Sequence, residues 1–422
     1  MPDCHAATAQ IRSDEASLTG PTRFLARQPI LNLSSQVIGY ELLFRSGWEN
    51  FFRGEADDAT LQMLDNCIMM GVDNLTQHTL AFVNCTRAAL VERLVTILPP
   101  ATTVLEILET IEPDDEVRAA CLELKSLGYR LALDDFRPDS ALCALAGDAD
   151  YLKVDFRLSG PDERKRIAKI ASKTNAVLLA EKIESQQEFD DARREKYQLF
   201  QGYFFCRPSI LAERDLPANW SNYMRLVSAL NRETLALSEI APIVEAEASL
   251  CYRLLRLANS AAIPTRSQIT SVTSAVMMVG EARFRTLASL ALAAALGADQ
   301  PKVLLQISLE RAHFCQRIAS LLGEDPNEQY LLGLLSLIGA MLHSPMEKLV
   351  HALPLREEAK NVLLGVDCPI ARALRLIIAL ESGDWEPISE TAEHLHISEA
   401  RIAGIYIDSL RWANVQMQQL AC

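Results

Sequence analysis

Eight short apolar runs alternate with longer amphipathic segments between residues 24 and 205, and this rhythm restricts the fold more than any other feature of the sequence. Short β-branched runs separated by helix-length segments are typical of α/β barrels and of doubly wound sheets. We expect one strand in each run. The predicted strands are 24–31, 37–44, 80–84, 103–107, 129–133, 151–154, 176–180 and 199–204.

The first two predicted strands are separated only by residues 32–36. A connection of this length is typical of a hairpin and is too short for a crossover helix. The barrel therefore begins with an antiparallel pair of strands instead of a regular βα unit.

The strand signal stops at residue 220, and apolar residues then recur at helical spacing. Leu254, Leu257 and Ala258 form one such set, and Val272, Val276 and Val279 form another, which predicts an all-helical second half. Residues 211–219 are the best linker candidate because they hold charged residues and a proline. The sequence thus predicts a disordered tail over 1–22, an α/β domain that is a barrel or a doubly wound sheet over 23–211, and a helical domain over 212–422.

Length, charge and cysteine usage exclude several classes of protein. A chain of 422 residues is too long for one ordinary core, and a net charge of −14 argues against nucleic-acid binding. The amino terminus is polar and no apolar stretch is long enough for a bilayer, so we expect a cytoplasmic protein without a membrane partner. The ten cysteines occur singly, which argues against a disulfide framework and a zinc site.

Polar side chains occur at or beside the ends of nearly all the predicted strands. One such residue alone is more often a helix cap. In a (β/α) barrel, however, the carboxyl ends of the strands meet at one mouth, where active sites form. Carboxylate and amide oxygens suit Mg²⁺ or Mn²⁺, and two such ions can activate a water for in-line attack on a phosphodiester. The residues are Glu41, Asn84, Glu106, Asp134, Asp135, Lys153, Glu181 and Gln201.

Residues 23–211 resemble the EAL family of cyclic di-GMP phosphodiesterases, in the order of that family's motifs. The resemblance implies a TIM-like (β/α)8 barrel with an antiparallel first strand. Within that family, the segment is similar to the branch whose sequence motifs are ELLxR and AEK. In that branch the EAL domain is typically followed by an HDOD domain. The segments that carry the resemblance are RQPI (27–30), GYELLFR (39–45), FVNCT (82–86), LEILE (105–109), LKSLGYRLALDDF (124–136), DYLKVD (150–155), LLAEKIES (178–185) and FQGYFFCRP (200–208).

The resemblance implies a role for individual residues. Lys153 would hold the attacking water, Gln201 would hydrogen-bond nearby, and Glu109 would brace the loop after the fifth strand, with Glu181 also catalytic. The implied metal ligands for a Mg²⁺ or Mn²⁺ site are Glu41, Asn84, Glu106, Asp134 and Glu181, with Asp135 bridging toward a second ion. The residues implied to contact cyclic di-GMP are Gln28, Glu41, Leu43, Arg45 and Pro208.

The chain departs from the family at several supporting positions. Active members have a glycine-rich loop after DDF, whereas residues 137–140 of this chain are Arg, Pro, Asp and Ser and include no glycine. We expect Arg137 to place a cation beside Asp135. Leu42, Leu108 and Lys182 replace the Ala, Thr and Gly of the family motifs. Together these changes predict weaker binding of the second metal. Slow hydrolysis, ligand binding without turnover and an inactive scaffold therefore remain alternatives.

The helical half resembles the HDOD family over residues 243–261, 269–292 and 331–342. HDOD domains are similar to metal-dependent HD hydrolases that lack the His-Asp ligands, and here Ser336 and Leu337 stand where the dyad would be. We therefore expect a docking domain whose partner is the barrel, a second copy of the chain or another protein.

Residues 388–407 loosely suggest a helix-turn-helix in the helical half. The acids Glu390, Glu393 and Glu399 oppose DNA binding, so packing of a terminal helix pair is favoured.

Overall fold

The computed structural model describes residues 23–46, 72–206, 219–232, 234–260, 269–297, 300–395 and 397–421. A closed eight-stranded barrel is followed by helices, which confirms the predicted fold class. The proposed tail 1–22 and nearly all of the proposed linker 211–219 lie outside these residues. The strands are β1 Arg23–Asn32, β2 Val37–Ser46, β3 Leu80–Cys85, β4 Thr103–Ile107, β5 Arg130–Leu133, β6 Tyr151–Asp155, β7 Val177–Glu181 and β8 Leu199–Gln201.

The predicted eighth strand is wrong beyond Gln201. Gly202 has φ +139°, and a Cβ at this position would lie 2.1 Å from the backbone oxygen of Ile183. Only glycine allows this close approach of two backbones, and the turn ends the strand. A 3₁₀ turn at Phe204–Cys206 follows, so the aromatic run that suggested a longer strand packs in the core instead.

The antiparallel start of the barrel is confirmed. β1 pairs antiparallel with β2 and also with β8, whereas the pairs from β2 to β8 are parallel. The side-chain oxygen of Asn32 accepts hydrogen bonds from the backbone N–H of Ser34 at 2.9 Å and of Gln36 at 3.0 Å. Ser35 has φ 55°. These bonds build a tight turn, so no helix follows β1.

Several barrel helices begin with side-chain caps soon after the strands end. Asp114 accepts a hydrogen bond from the N–H of Val117 at 2.9 Å, and Ser185 and Glu188 form a reciprocal capping box. Such caps satisfy the free N–H groups of a first turn and fix where each helix starts. The helices are α1 Val72–Thr76, α2 Arg87–Val91, α3 Asp115–Ser126, α4 Pro161–Thr174 and α5 Gln186–Arg194.

The barrel interior has an apolar layer beneath a polar one. The apolar layer is Ile30, Phe82, Val104, Ala132, Tyr151, Leu179 and Leu199, and nearly all of these are fully buried. Because side chains alternate between the two faces of a strand, the residue two positions further on also faces inward. Those residues are Asn84, Glu106, Asp134, Lys153, Glu181 and Gln201. The two-residue period of the sequence therefore sets the polar groups at one mouth of the barrel.

The helical part packs around α11, a long helix that contacts α10, α12, α16 and α18. Gly333 on α12 allows a very close crossing, because a Cβ there would lie 2.5 Å from the backbone of Arg311. The helices are α6 Trp220–Leu230, α7 Leu237–Glu245, α8 Ala248–Ala258, α9 Val272–Val279, α10 Glu281–Leu296, α11 Lys302–Leu322, α12 Pro326–Leu335, α13 Ile338–Leu342, α14 Met346–Val350, α15 Glu357–Leu363, α16 Arg372–Ser382, α17 Glu386–Leu395 and α18 Glu399–Ala421. Within the described ranges, no helix is both long and apolar enough to cross a membrane.

The two parts are joined through the outer side of β1, which contacts α16 and α18. Arg27 on β1 donates to Glu310 on α11 at 2.5 Å, and both side chains are almost fully buried. The guanidinium also lies 4.4 Å from the centre of the Tyr40 ring, and it donates to the backbone oxygen of Leu75. Gln306 donates to the same Glu310 oxygen at 2.7 Å, so this buried charge is bound from both parts of the chain.

Candidate functional site

Lys153 lies at the centre of four carboxylates at the barrel mouth. Its Nζ is 2.8 Å from an oxygen of Glu106 and 2.8 Å from an oxygen of Asp134. It is 2.9 Å from an oxygen of Glu181 and 3.5 Å from an oxygen of Glu41. The strands β2, β4, β6 and β7, with the residue after β5, thus bring together five of the residues predicted at the mouth.

Burial and mutual charge shift the pKa values of this cluster. Burial opposes the charge of Lys153, but the four carboxylates outweigh that effect and raise its pKa well above the usual range. Burial raises the pKa of Glu181 to about 8, with Lys153 opposing the shift and Asp134 and Glu41 adding to it. The pKa of Glu106 is raised for the same reasons, burial first. Perturbed acids in one barrel mouth are a feature of functional sites.

Three buried oxygens beside this cluster have no hydrogen-bond partner among the described residues. They are Oδ1 of Asn84, Oδ1 of Asp135 and Oε1 of Gln201. Asp135 follows Asp134 with φ 40°, a conformation that turns it away from the regular strand path. A buried acceptor without a donor is a site that a hard cation can complete, since Mg²⁺ and Mn²⁺ take oxygen ligands. The donor set therefore fits a divalent metal, although in the described residues no three His, Cys, Asp or Glu side chains are already arranged to hold a metal ion. Lys153 holds the carboxylates instead.

A chain of hydrogen bonds links Glu41 to the helical domain. Gln201 donates to Glu41 at 2.5 Å and to the side-chain oxygen of Gln28 at 2.7 Å. Gln28 in turn donates to the backbone oxygen of Ser382, the last residue of α16, at 3.2 Å. A Cβ at the next residue, Gly383, would lie only 3.0 Å from Leu43. Two residues predicted to contact the nucleotide are thus held by the end of α16.

Other predicted site residues are less well placed. Glu109 is exposed and its side chain makes no hydrogen bond within the described residues, so its bracing contact remains a prediction. The side chain of Arg45 and the whole of Pro208 lie outside the part of the chain that the structure describes. Their predicted contacts with the nucleotide remain predictions.

Arg137 is exposed, and its guanidinium donates to Glu163 on α4 at 3.0 Å. The hydrogen bond to Glu163 raises the pKa of Arg137, and the charge of Asp135 adds to that shift, in line with the expected cation near Asp135. Lys182 is a second cation near Asp135: burial raises the pKa of Asp135, and the charge of Lys182 partly offsets that effect. Lys182 also contacts Asp155, a residue given no role in the sequence analysis, with Nζ 2.5 Å from Oδ2. The sequence feature that could have indicated this contact is the lysine directly after Glu181, at a position where the family has glycine.

The helical domain has Ser336 where an HD enzyme would carry a ligand. Its hydroxyl donates to the backbone oxygen of Gly333 at 2.8 Å and accepts from Arg311 at 3.2 Å, so it supports the packing of α11 on α12. Arg311 also binds Glu381 on α16 through two hydrogen bonds of 2.6 and 2.9 Å. These residues connect helices, and their described contacts are structural.

The last two helices, α17 and α18, contact each other, in line with the predicted terminal helix pair. Of the three acids expected to oppose DNA binding, Glu399 is only 2% exposed and therefore contributes no surface charge. Glu390 and Glu393 are exposed as expected. The sequence alone could not show that Glu399 is buried while Glu390 and Glu393 are exposed. Glu399 is the first residue of α18, and its burial depends on how that helix packs.

His313 is expected to make the stability of the helical domain sensitive to acid. Burial lowers its pKa to about 4, and its ring stacks on Trp412 with centroids 4.6 Å apart. The unfolded chain takes up a proton near pH 6.5 and the folded chain does not, so stability falls as the pH drops from about 6.5 to about 4. Urea unfolding of the wild type and His313→Phe at pH 7, 6, 5 and 4 should show a weaker acid dependence in the variant.

The matched control is His394→Phe, because His394 is an exposed histidine of the same domain. This variant should keep the acid dependence of the wild type. Equal profiles for all three proteins would contradict a role for His313.

Comparison with known proteins agrees with this two-part arrangement. The EAL domain model matches residues 15–208 and the HDOD domain model matches residues 216–362. The chain is 33% identical to the uncharacterized protein YuxH of Bacillus subtilis over 93% of this chain and 98% of that protein. It is 31% identical to the cyclic di-GMP phosphodiesterase CdgJ of Vibrio cholerae over 93% of this chain and 92% of that protein.

A solved complex of Klebsiella pneumoniae BlrP1 with calcium and cyclic di-GMP matches with a TM-score of 0.39 and 23% identity, covering 46% of this chain and 57% of that one. A similarity of this size adds nothing to the assignment. The family assignment rests on the two relatives that match nearly the whole chain and on the two domain models. The chain belongs to the family of proteins in which an EAL domain is followed by an HDOD domain.

Proposed function

We propose that this protein acts in cyclic di-GMP signalling, and that its barrel binds cyclic di-GMP with a divalent metal and hydrolyses it slowly. The observation that carries the proposal is the group of four carboxylates around Lys153 at the barrel mouth. Support also comes from the 31% identity to CdgJ, which is a cyclic di-GMP phosphodiesterase. A buried cluster of this charge requires a cation, and a phosphodiester requires positive charge when it is attacked.

The proposed ligands of Mg²⁺ or Mn²⁺ are Glu41, Asn84, Glu106, Asp134 and Glu181, with Asp135 beside them. When bound, the metal would draw charge from the phosphate oxygens and from water. Lys153 would donate a hydrogen bond to the attacking water and hold it in line with the phosphorus atom. The water would lose its proton to a neighbouring carboxylate, and its oxygen would form a new bond to phosphorus. One P–O ester bond would break, the released ribose oxygen would take a proton from solvent, and a linear dinucleotide would leave.

The helical domain is proposed to regulate this site. Ser382 holds Gln28, Gly383 lies against Leu43, and Gln28 is linked through Gln201 to Glu41. Any displacement of α16 would therefore move Gln28 and Leu43, which are proposed to contact the nucleotide. Through Gln201 it would also move Glu41, a proposed metal ligand. The proposal includes a protein partner or a second copy of the chain bound by the HDOD domain, and a cytoplasmic location.

A second candidate function is nucleotide binding without turnover. The end of α16 occupies the edge of the mouth at Gln28 and Leu43, which favours a sensor whose domains shift when the nucleotide binds. Both candidates use the same site. They differ in whether a linear product appears.

The test is incubation of the full chain with cyclic di-GMP and Mn²⁺ or Mg²⁺, with product separated by chromatography. Glu41→Ala is the control, because this carboxylate is a proposed metal ligand and sits in the Lys153 cluster. We expect linear dinucleotide from the wild type and background levels from the variant. If the two proteins give the same amount, hydrolysis is excluded. Calorimetry with the nucleotide then decides between a sensor and a scaffold.

A further inference from the structure

Lys182 lies beside the proposed metal site in a conformation that glycine would adopt more easily. It follows Glu181 directly at the end of β7 and has φ 57°, in the left-handed region. Lysine in this region carries a backbone cost that glycine does not.

The side chain of Lys182 binds a fixed carboxylate. Its Nζ lies 2.5 Å from Oδ2 of Asp155, a residue that is 4% exposed. The other oxygen of Asp155 accepts hydrogen bonds from the N–H of Arg157 at 2.7 Å and of Leu158 at 3.2 Å. Backbone donors of this kind hold a carboxylate in one orientation. The ammonium is therefore anchored.

The acids of the barrel mouth divide between two ammonium groups. Lys153 contacts Glu41, Glu106, Asp134 and Glu181. Asp135 is not among them, and within the described residues it has a buried oxygen without a hydrogen-bond partner. Lys182 acts on Asp135, and the charge of Asp135 acts on Lys182 in return, while the exposed Arg137 also interacts with Asp135 from the barrel rim.

We propose that the ammonium of Lys182 takes the place of a second divalent cation beside Asp135 and Asp155, so that the barrel binds one divalent metal and not two. This inference rests on the proposed function, because it assumes a metal at the Glu41 and Asn84 side of the mouth. A second divalent ion would have to displace an ammonium bound to Asp155, and it would be repelled by that charge if both remained. Lys182 is in this sense a positioning residue that limits metal stoichiometry.

The test counts Mn²⁺ ions bound per chain, with free Mn²⁺ followed by electron paramagnetic resonance during titration of the full, metal-stripped protein with the metal alone. We expect one ion in the wild type and two in Lys182→Gly. The glycine suits the left-handed backbone, so the variant should fold. Lys182→Arg keeps the positive charge and should bind one ion.

The matched control is Lys196→Gly. Lys196 is exposed and also has a positive φ, at 69°, so this variant relieves the same backbone constraint away from the mouth. It should bind one ion. Two ions in the wild type, or one ion in Lys182→Gly, would overturn the inference and leave the proposed function standing. No ion in any variant would remove the proposed metal site, and the inference with it.

Discussion

Lys153→Met is expected to lower cyclic di-GMP hydrolysis by at least about a hundredfold, the typical effect of removing one group that stabilises developing charge. The ammonium is the shared partner of four carboxylates, and it is fully buried. Its removal leaves acids such as Glu106 without a cation in a low-dielectric site. The free energy of unfolding should therefore also fall, by about 3–5 kcal/mol near neutral pH. Product formation and urea unfolding of the variant measure the two effects.

The matched control for this prediction is Lys165→Met. Lys165 pairs with Asp162 on the surface, with side chains 67% and 99% exposed, and such pairs contribute about 0–1 kcal/mol. Hydrolysis by this variant should equal that of the wild type. A Lys153→Met protein as active and as stable as the control would contradict the central role of the ammonium.

Breaking the ion pair between the two domains should have a comparable effect on stability. We expect Arg27→Met or Glu310→Leu to reduce the free energy of unfolding by about 3–5 kcal/mol, because each leaves one buried charge without its partner. The pair is 2.5 Å long, and its side chains are 2% and 5% exposed. The double variant should lose less than the sum of the two single losses, since neither charge remains. Urea unfolding of the wild type, the two single variants and the double variant gives the coupling energy of the pair as a double-mutant cycle.

Arg93→Met is the control for that cycle. Arg93 binds Glu123 on the surface, with side chains 54% and 43% exposed, and its loss should change stability by less than about 1 kcal/mol. Additive losses in the double variant would mean that Arg27 and Glu310 are not coupled. The same variants should also alter nucleotide binding, because Gln28 follows Arg27 on β1 and contacts α16.

The polar mouth could be predicted because it follows from strand periodicity. Val104 and Glu106 lie on one face of β4, as do Leu179 and Glu181 on β7, so an apolar inward residue indicates where its polar neighbour points. This relation needs no knowledge of neighbouring strands. The parallel register then brings the strand ends to the same level.

The contacts that the sequence could not give depend on the packing of distant elements. Arg137 turns to Glu163 because α4 passes nearby, and nothing in residues 137–140 indicates that position. The pairing of Arg27 with Glu310 depends on the docking of α11 on the barrel. The end of β8 depends on the closeness of Gly202 to Ile183. In each case a side chain or turn responds to a neighbour far away in the sequence.

The tight turn after β1 has a consequence for how this protein can be divided. Since no helix follows β1, its outward side is covered by α16 and α18 among the described helices. If the barrel were expressed without the helical domain, the side chain of Arg27 and the ring of Tyr40, which are buried in the full chain, would be exposed to water. This exposed cationic and aromatic surface would favour non-specific association. Gene fusions that exchange the carboxy-terminal half for an unrelated module should therefore yield aggregated barrels, whereas exchanges between relatives of the same architecture should remain monodisperse.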